Sequence, residues 1–129
     1  MRLVAAIALA IGFAGCITPT IPIPPPDPTM MEIDPTIPIP PPAPGMTYQW
    51  TFSYPPTSIY ANGTAYIYDR NEGQGVIQDA AADGSIGPTM AFPAVLGDNV
   101  VVTVQLEQQT ASTCIVLRSG QQDPNVYCQ

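Results

Sequence analysis

The 129-residue chain contains no histidine and no lysine, and its three arginines face ten acidic residues, for a formal charge of −7. A nucleic-acid-binding surface neutralises phosphates with clustered cations, and this chain has almost none to cluster. The absent residue types also remove the usual general base, the Schiff-base amine and the nitrogen ligands of metals. Three cysteines and 10% charged residues leave little else for chemistry, so the composition argues against an enzyme and against a bound cofactor. A chain of this length holds one small core plus non-globular sequence.

Only one long apolar run is present, and it is N-terminal. Residues 1–16, MRLVAAIALAIGFAGC, place a single cation (Arg2) before about 12 apolar residues and then small residues at Ala14 and Gly15. That order is the layout of a secretory signal. The run falls short of the roughly 20 residues that a spanning helix needs, so a retained transmembrane helix is not expected. Phe13-Ala14-Gly15-Cys16 resembles the lipobox of bacterial lipoproteins, with Phe13 in place of the family's usual Leu. The resemblance implies a helical signal peptide over 1–15 and a lipidated Cys16 as first mature residue, an anchor of two or three acyl chains holding the protein on a membrane. Ile17 follows, where enteric bacteria carry Asp as an inner-membrane retention signal, so the resemblance favours the outer membrane in a Gram-negative host.

Proline is the abundant residue. Twelve of the 26 residues from Pro19 to Pro44 are proline, and Pro19-Thr20-Ile21-Pro22-Ile23-Pro24-Pro25-Pro26-Asp27-Pro28 recurs sixteen residues later as Pro35-Thr36-Ile37-Pro38-Ile39-Pro40-Pro41-Pro42-Ala43-Pro44. Proline fixes φ and removes the amide donor, so helix and sheet interiors are disfavoured and the chain defaults to polyproline II. The expectation is a lipid-anchored linker over 16–45, whose residues 17–45 form a semi-rigid spacer reaching on the order of 90 Å. The alternative is a ligand for proline-reading domains, since Pro-x-x-Pro patterns such as Pro22 to Pro25 occur.

After Gly45 the pattern changes to period two. Tyr48-Gln49-Trp50-Thr51-Phe52-Ser53-Tyr54 alternates aromatic and polar residues, Thr64 to Tyr68 and Gly75 to Asp79 are β-rich, and Pro88 to Pro93 brackets a short edge strand. Val100 to Leu106 is the strongest strand in the chain, and Thr113 to Leu117 is the next. No window shows a 3.6-residue apolar period. The prediction is an all-β fold: a small antiparallel Ig-like sandwich of five to seven strands over 46–129. Gly63 to Asp69, then Ala82-Asp83-Gly84-Ser85, then Gly97-Asp98-Asn99 running into Val104, resembles bacterial Ig-like repeats and carboxypeptidase-regulatory-like sandwiches. Such domains serve as spacers, stalks or adhesive modules and carry no family-wide catalytic residues, which implies a non-enzymatic structural or protein-interaction module at the cell envelope.

With Cys16 lipidated, Cys114 and Cys128 remain as an even pair in an oxidising compartment, and a disulfide between them is the default. Its loop of about 15 residues stabilises by roughly 3 kcal/mol in the chain-entropy model. Tyr48, Trp50, Phe52 and Tyr54 share one strand face, which is either the core face or a stacking stripe for glycans or cell-wall polymers. Asp69-x-Asn71-x-Gly73 reads as turn chemistry, with a calcium site shared with Asp79, Asp83 and Asp98 as the alternative; it lacks the distal Glu of a calcium loop. Asn62-Gly63-Thr64 matches a glycosylation sequon but reads as a turn. Paired carboxylates for glycoside hydrolysis would need a cleft that 84 residues scarcely provide. The partners expected are the membrane, through the lipid, and an envelope protein or glycan.

Overall fold

The computed structural model describes residues 21–37 and 42–128; the signal peptide expected over 1–15 and the lipidation site Cys16 lie outside the described residues. Among the described residues the fold is all-β, 46% strand, with two four-stranded antiparallel sheets packed face to face as a small sandwich. One sheet has the order β5-β2-β1-β8, built from β1 (Glu32–Pro35), β2 (Thr47–Ser53), β5 (Phe92–Val95) and β8 (Gly120–Gln121). The other has the order β4-β3-β6-β7, built from β3 (Thr64–Asp69), β4 (Gln74–Asp79), β6 (Asn99–Leu106) and β7 (Gln109–Val116).

The period-two pattern explains most of this. Val100, Val102 and Val104 of β6 turn inward with Ala65 and Ile67 of β3 and Ile115 of β7. From the opposite sheet, Trp50, Phe52 and Tyr54 turn inward with Phe92 and Ala94. The aromatic face of β2 is therefore core: Trp50 and Phe52 are fully buried and Tyr54 is 8% exposed. The Trp50 indole also donates to the Ala94 carbonyl at 2.9 Å, which satisfies its one polar atom inside the core. A glycan cannot stack on rings that face the opposite sheet, so the stacking-stripe alternative is corrected.

Six strands overlap their expected positions, although the edge strand expected between Pro88 and Pro93 is displaced to Phe92–Val95, with Met90 exposed outside it, and β7 begins at Gln109, ahead of Thr113; the sandwich gains two more. β1 lies inside the expected spacer, running from the segment after the first copy of the proline repeat into Pro35, the first residue of the second. It pairs with β2 (Ile33↔Phe52, Pro35↔Trp50) and with β8 (Glu32↔Gln121, Ile33↔Gly120). Met31 and Ile33 are fully buried in the core. The folded domain thus extends upstream of residue 46, and the polyproline II spacer over 17–45 is interrupted by a strand. The physical reason is local: Thr29 to Asp34 is a proline-free window in which Met31-Glu32-Ile33-Asp34 alternates apolar and polar side chains. Pro35 is tolerated because the Thr36 amide bonds to Gln49, which turns the neighbouring position toward β8, and β8 pairs only with Glu32 and Ile33.

Candidate functional site: a polyproline strap and its cradle

In the segment Ile23–Pro28, only Ile23 and Asp27 carry a backbone N–H, because the other four residues are proline. Both amides are bound by side chains of the sandwich. The Ile23 amide donates to Gln109 Oε1 at 3.0 Å, and the Asp27 amide donates to the Tyr54 hydroxyl at 3.1 Å. Two carbonyls are bound as well: the Tyr60 hydroxyl donates to Pro24 at 2.7 Å and the Thr113 hydroxyl donates to Pro26 at 2.5 Å. Four side chains thus read four backbone groups of one extended segment, and Pro26 is buried under the contact.

Each cradle residue is placed by its element. Gln109 and Thr113 are four apart on β7 and share its inward face with Ile115. Tyr54, immediately after β2 and bridged to Ile86, continues its inward row. Tyr60 ends the short 3₁₀ turn Ser58–Tyr60, which starts from the Thr57 side chain. That turn rests on the Ala82 to Ser85 loop, where Gly84 at φ +84° lies so close to the Thr57 carbonyl that a Cβ would collide with it. Burial pushes the Tyr60 hydroxyl up to about 12, with the charges of Tyr54 and Asp27 acting in the same direction. Tyr54 is raised too, mainly by burial. Both phenols therefore stay protonated well above neutral pH, and Tyr60 remains a donor to the strap.

Clefts flank the strap on both sides. One, of about 470 Å³, lies between Pro25, Pro26 and the Cys114 and Tyr127 side chains. The other, of about 340 Å³, lies between Pro24, Pro25 and the Tyr54, Pro55, Ile59 and Tyr60 side chains. Asp27 fixes where the strap leaves: its Oδ1 accepts from the Thr29 amide (2.9 Å) and hydroxyl (2.8 Å), capping the 3₁₀ turn Pro28–Met30 that leads into β1.

Behind the strap, Cys114 of β7 and Cys128 form a disulfide with a Cα separation of 5.3 Å. After β7 the chain crosses to the other sheet to form β8 and then returns to Cys114, so the bond closes a lasso that spans both sheets. Gln122, fully buried, fills the lasso. It accepts from the Arg118 amide and donates to the Arg118 (2.7 Å) and Gly120 (2.9 Å) carbonyls. Nothing in the sequence singles out Gln122, because its partners become a closed set only once the tail has folded back.

The four acidic residues proposed for a calcium site do not converge. Asp79 accepts from Thr64 and Asp83 from Ser85. Asp69 lies at the opposite end of β3 from Thr64, about 17 Å along the strand. Asp69 and Asp98 do meet. The Asp69 Oδ1 accepts from the Asn71 and Glu72 amides at 2.9 Å each, as turn chemistry requires. Its Oδ2 is buried without a hydrogen-bond partner, and the Asp98 carboxyl lies close enough to the Asp69 carboxyl to act on it. Burial, reinforced by Asp98, lifts Asp69 from the ordinary 3.8 to about 7. Among the described residues, no group of three histidine, cysteine, aspartate or glutamate side chains is positioned to hold a metal ion.

No protein-family model, curated protein or solved structure matches this chain.

Proposed function

We propose that the chain is an exported lipoprotein of the bacterial cell envelope, held on a membrane by acyl chains at Cys16, that presents its sandwich as a non-enzymatic protein-interaction module. In a Gram-negative host the outer membrane is the destination this reading favours. The observation that carries it is the cradle: Gln109, Tyr54, Tyr60 and Thr113 bind the backbone of a proline-rich chain, which is protein-recognition chemistry. The signal layout, the lipobox-like Phe13-Ala14-Gly15-Cys16 and a disulfide suited to an oxidising compartment support the same address. The test is incorporation of a clickable palmitate analogue together with membrane fractionation. The wild-type chain takes up label and sediments with membranes, whereas Cys16→Ala is unlabelled and released. Label-free wild type, or Cys16→Ala that still fractionates with membranes, overturns the anchor.

A further inference from the structure

The cradle recognises a backbone, and the chain contains two copies of what it recognises. Residues 23–28 (Ile-Pro-Pro-Pro-Asp-Pro) occupy it; residues 39–44 (Ile-Pro-Pro-Pro-Ala-Pro) differ from them at one position. All four cradle bonds go to main-chain atoms of Ile23, Pro24, Pro26 and Asp27, and the same atoms exist at Ile39, Pro40, Pro42 and Ala43. The one difference, Asp27 against Ala43, falls on the side chain that caps the turn into β1, which is a function of connectivity and not of recognition. A prolyl segment is also prepaid in entropy, since it holds polyproline II before it binds.

The second copy of the repeat cannot serve its own cradle. It lies in the connection between β1 and β2, and its Ala43 amide is bound to Tyr48, near the start of β2. The four residues from Ala43 to Thr47 reach about 14 Å, whereas the Tyr54 position that must receive the equivalent amide lies seven residues along the strand from Thr47, about 23 Å away. We therefore infer that the second repeat of one molecule, residues 39–44, docks in the cradle of a second copy by displacing that copy's own strap. The contact is heterologous, so it joins molecules head to tail instead of closing a symmetric pair. This inference rests on the interaction-module reading above and names its partner. It does not depend on the lipid anchor, so its failure would leave the Cys16 result standing.

The probe is a synthetic peptide of the second repeat, PTIPIPPPAP, with a shuffled peptide of the same composition as control. In the intact, disulfide-bonded chain, saturating peptide should speed exchange of the Ile23 and Asp27 amides about tenfold or more, because displacement frees both donors; the shuffled peptide should leave them unchanged. In a chain whose residues 19–26 are replaced by Gly and Ser, labelled peptide should bind saturably. Adding Tyr60→Phe and Thr113→Val, which remove two donors and keep the shape, should weaken it about tenfold or more. The same vacated chain should associate in sedimentation, and replacement of residues 39–42 by Gly and Ser should abolish that association. Unchanged exchange at saturating peptide in the intact chain overturns the inference, as does binding insensitive to Tyr60→Phe and Thr113→Val. A vacated chain that takes up peptide yet stays monomeric overturns the second copy as partner.

Discussion

Asp27 and Ala43 hold equivalent positions in the two copies of one repeat, and each donates its amide at 3.1 Å to a tyrosine hydroxyl of the same sheet row, Asp27 to Tyr54 and Ala43 to Tyr48. Both repeats are therefore tied to the inward aromatic row of β2, one at each end. The strand between them, β1, is what carries the chain from one tether to the other. A segment that reads as a spacer is thus divided into a docked strap, a core strand and a second proline-rich connection.

Ile33→Ala should cost about 2–5 kcal/mol, the range for truncating a fully buried isoleucine. Ile37→Ala, four residues on and 59% exposed, should change stability by no more than about 0.5 kcal/mol. Urea unfolding of the two variants measures the contrast directly. Equal, negligible effects would show that residues 31–35 are not part of the folded domain.

Trp50 is the chain's single tryptophan, so its fluorescence reports the β2 aromatic face without ambiguity. Acrylamide should quench it weakly in the native protein and strongly in urea, because the indole is fully buried and bonded to the Ala94 carbonyl. Strong quenching of the native protein would place the aromatic row in solvent.

Asp69→Asn should remove a pH dependence of stability. The native carboxyl titrates at about 7 and the unfolded one near 3.8, so the folded state binds the extra proton between these values. Stability from this group is complete below about pH 4, falls as pH rises toward about 7 and is flat beyond it. Asparagine keeps the acceptor for the Asn71 and Glu72 amides and offers Asp98 a permanent donor. The variant should therefore match wild type near pH 4 and exceed it increasingly up to about pH 7, read from melting temperatures across that range. A constant difference at all pH values would contradict the raised titration of Asp69.

Cys114→Ser with Cys128→Ser should lower stability by roughly 3 kcal/mol, as expected for opening a loop with a 14-residue separation. The loss should appear equally when the wild-type chain is unfolded in urea with reductant. Because the loop carries β8 and Gln122 across both sheets, Met31 and Ile33 should also become more open to exchange. A reduced protein as stable as the oxidised one would contradict this.

Much of the fold is legible in local pattern. Thr64 to Tyr68 and Val100 to Val104 are rich in β-branched and aromatic residues and Trp50 to Tyr54 alternates at period two, and these are properties of neighbours along the chain. The all-β class and the approximate places of these strands therefore follow without tertiary information, whereas which face of β2 is buried does not. The disulfide between Cys114 and Cys128 is the pairing that the cysteine count suggests once Cys16 is set aside as the expected lipidation site. β1 carried the same kind of signal in Met31 and Ile33, but over a window so short that the surrounding prolines outweighed it. The strap carried none at all: Ile23 to Pro28 takes the same extended conformation whether it is solvated or docked, so nothing local distinguishes the two states. Its docking depends on Tyr54, Tyr60, Gln109 and Thr113, which lie 27 to 87 residues away and meet only where β2, β7 and a 3₁₀ turn converge. The raised titration of Asp69 has the same origin, since Asp98 reaches it only when the end of β3 and the start of β6 are paired. Short-range stereochemistry is written in the order of residues, whereas a hydrogen bond between distant groups, or the shifted titration of a buried carboxyl, exists only after packing has removed water from around them.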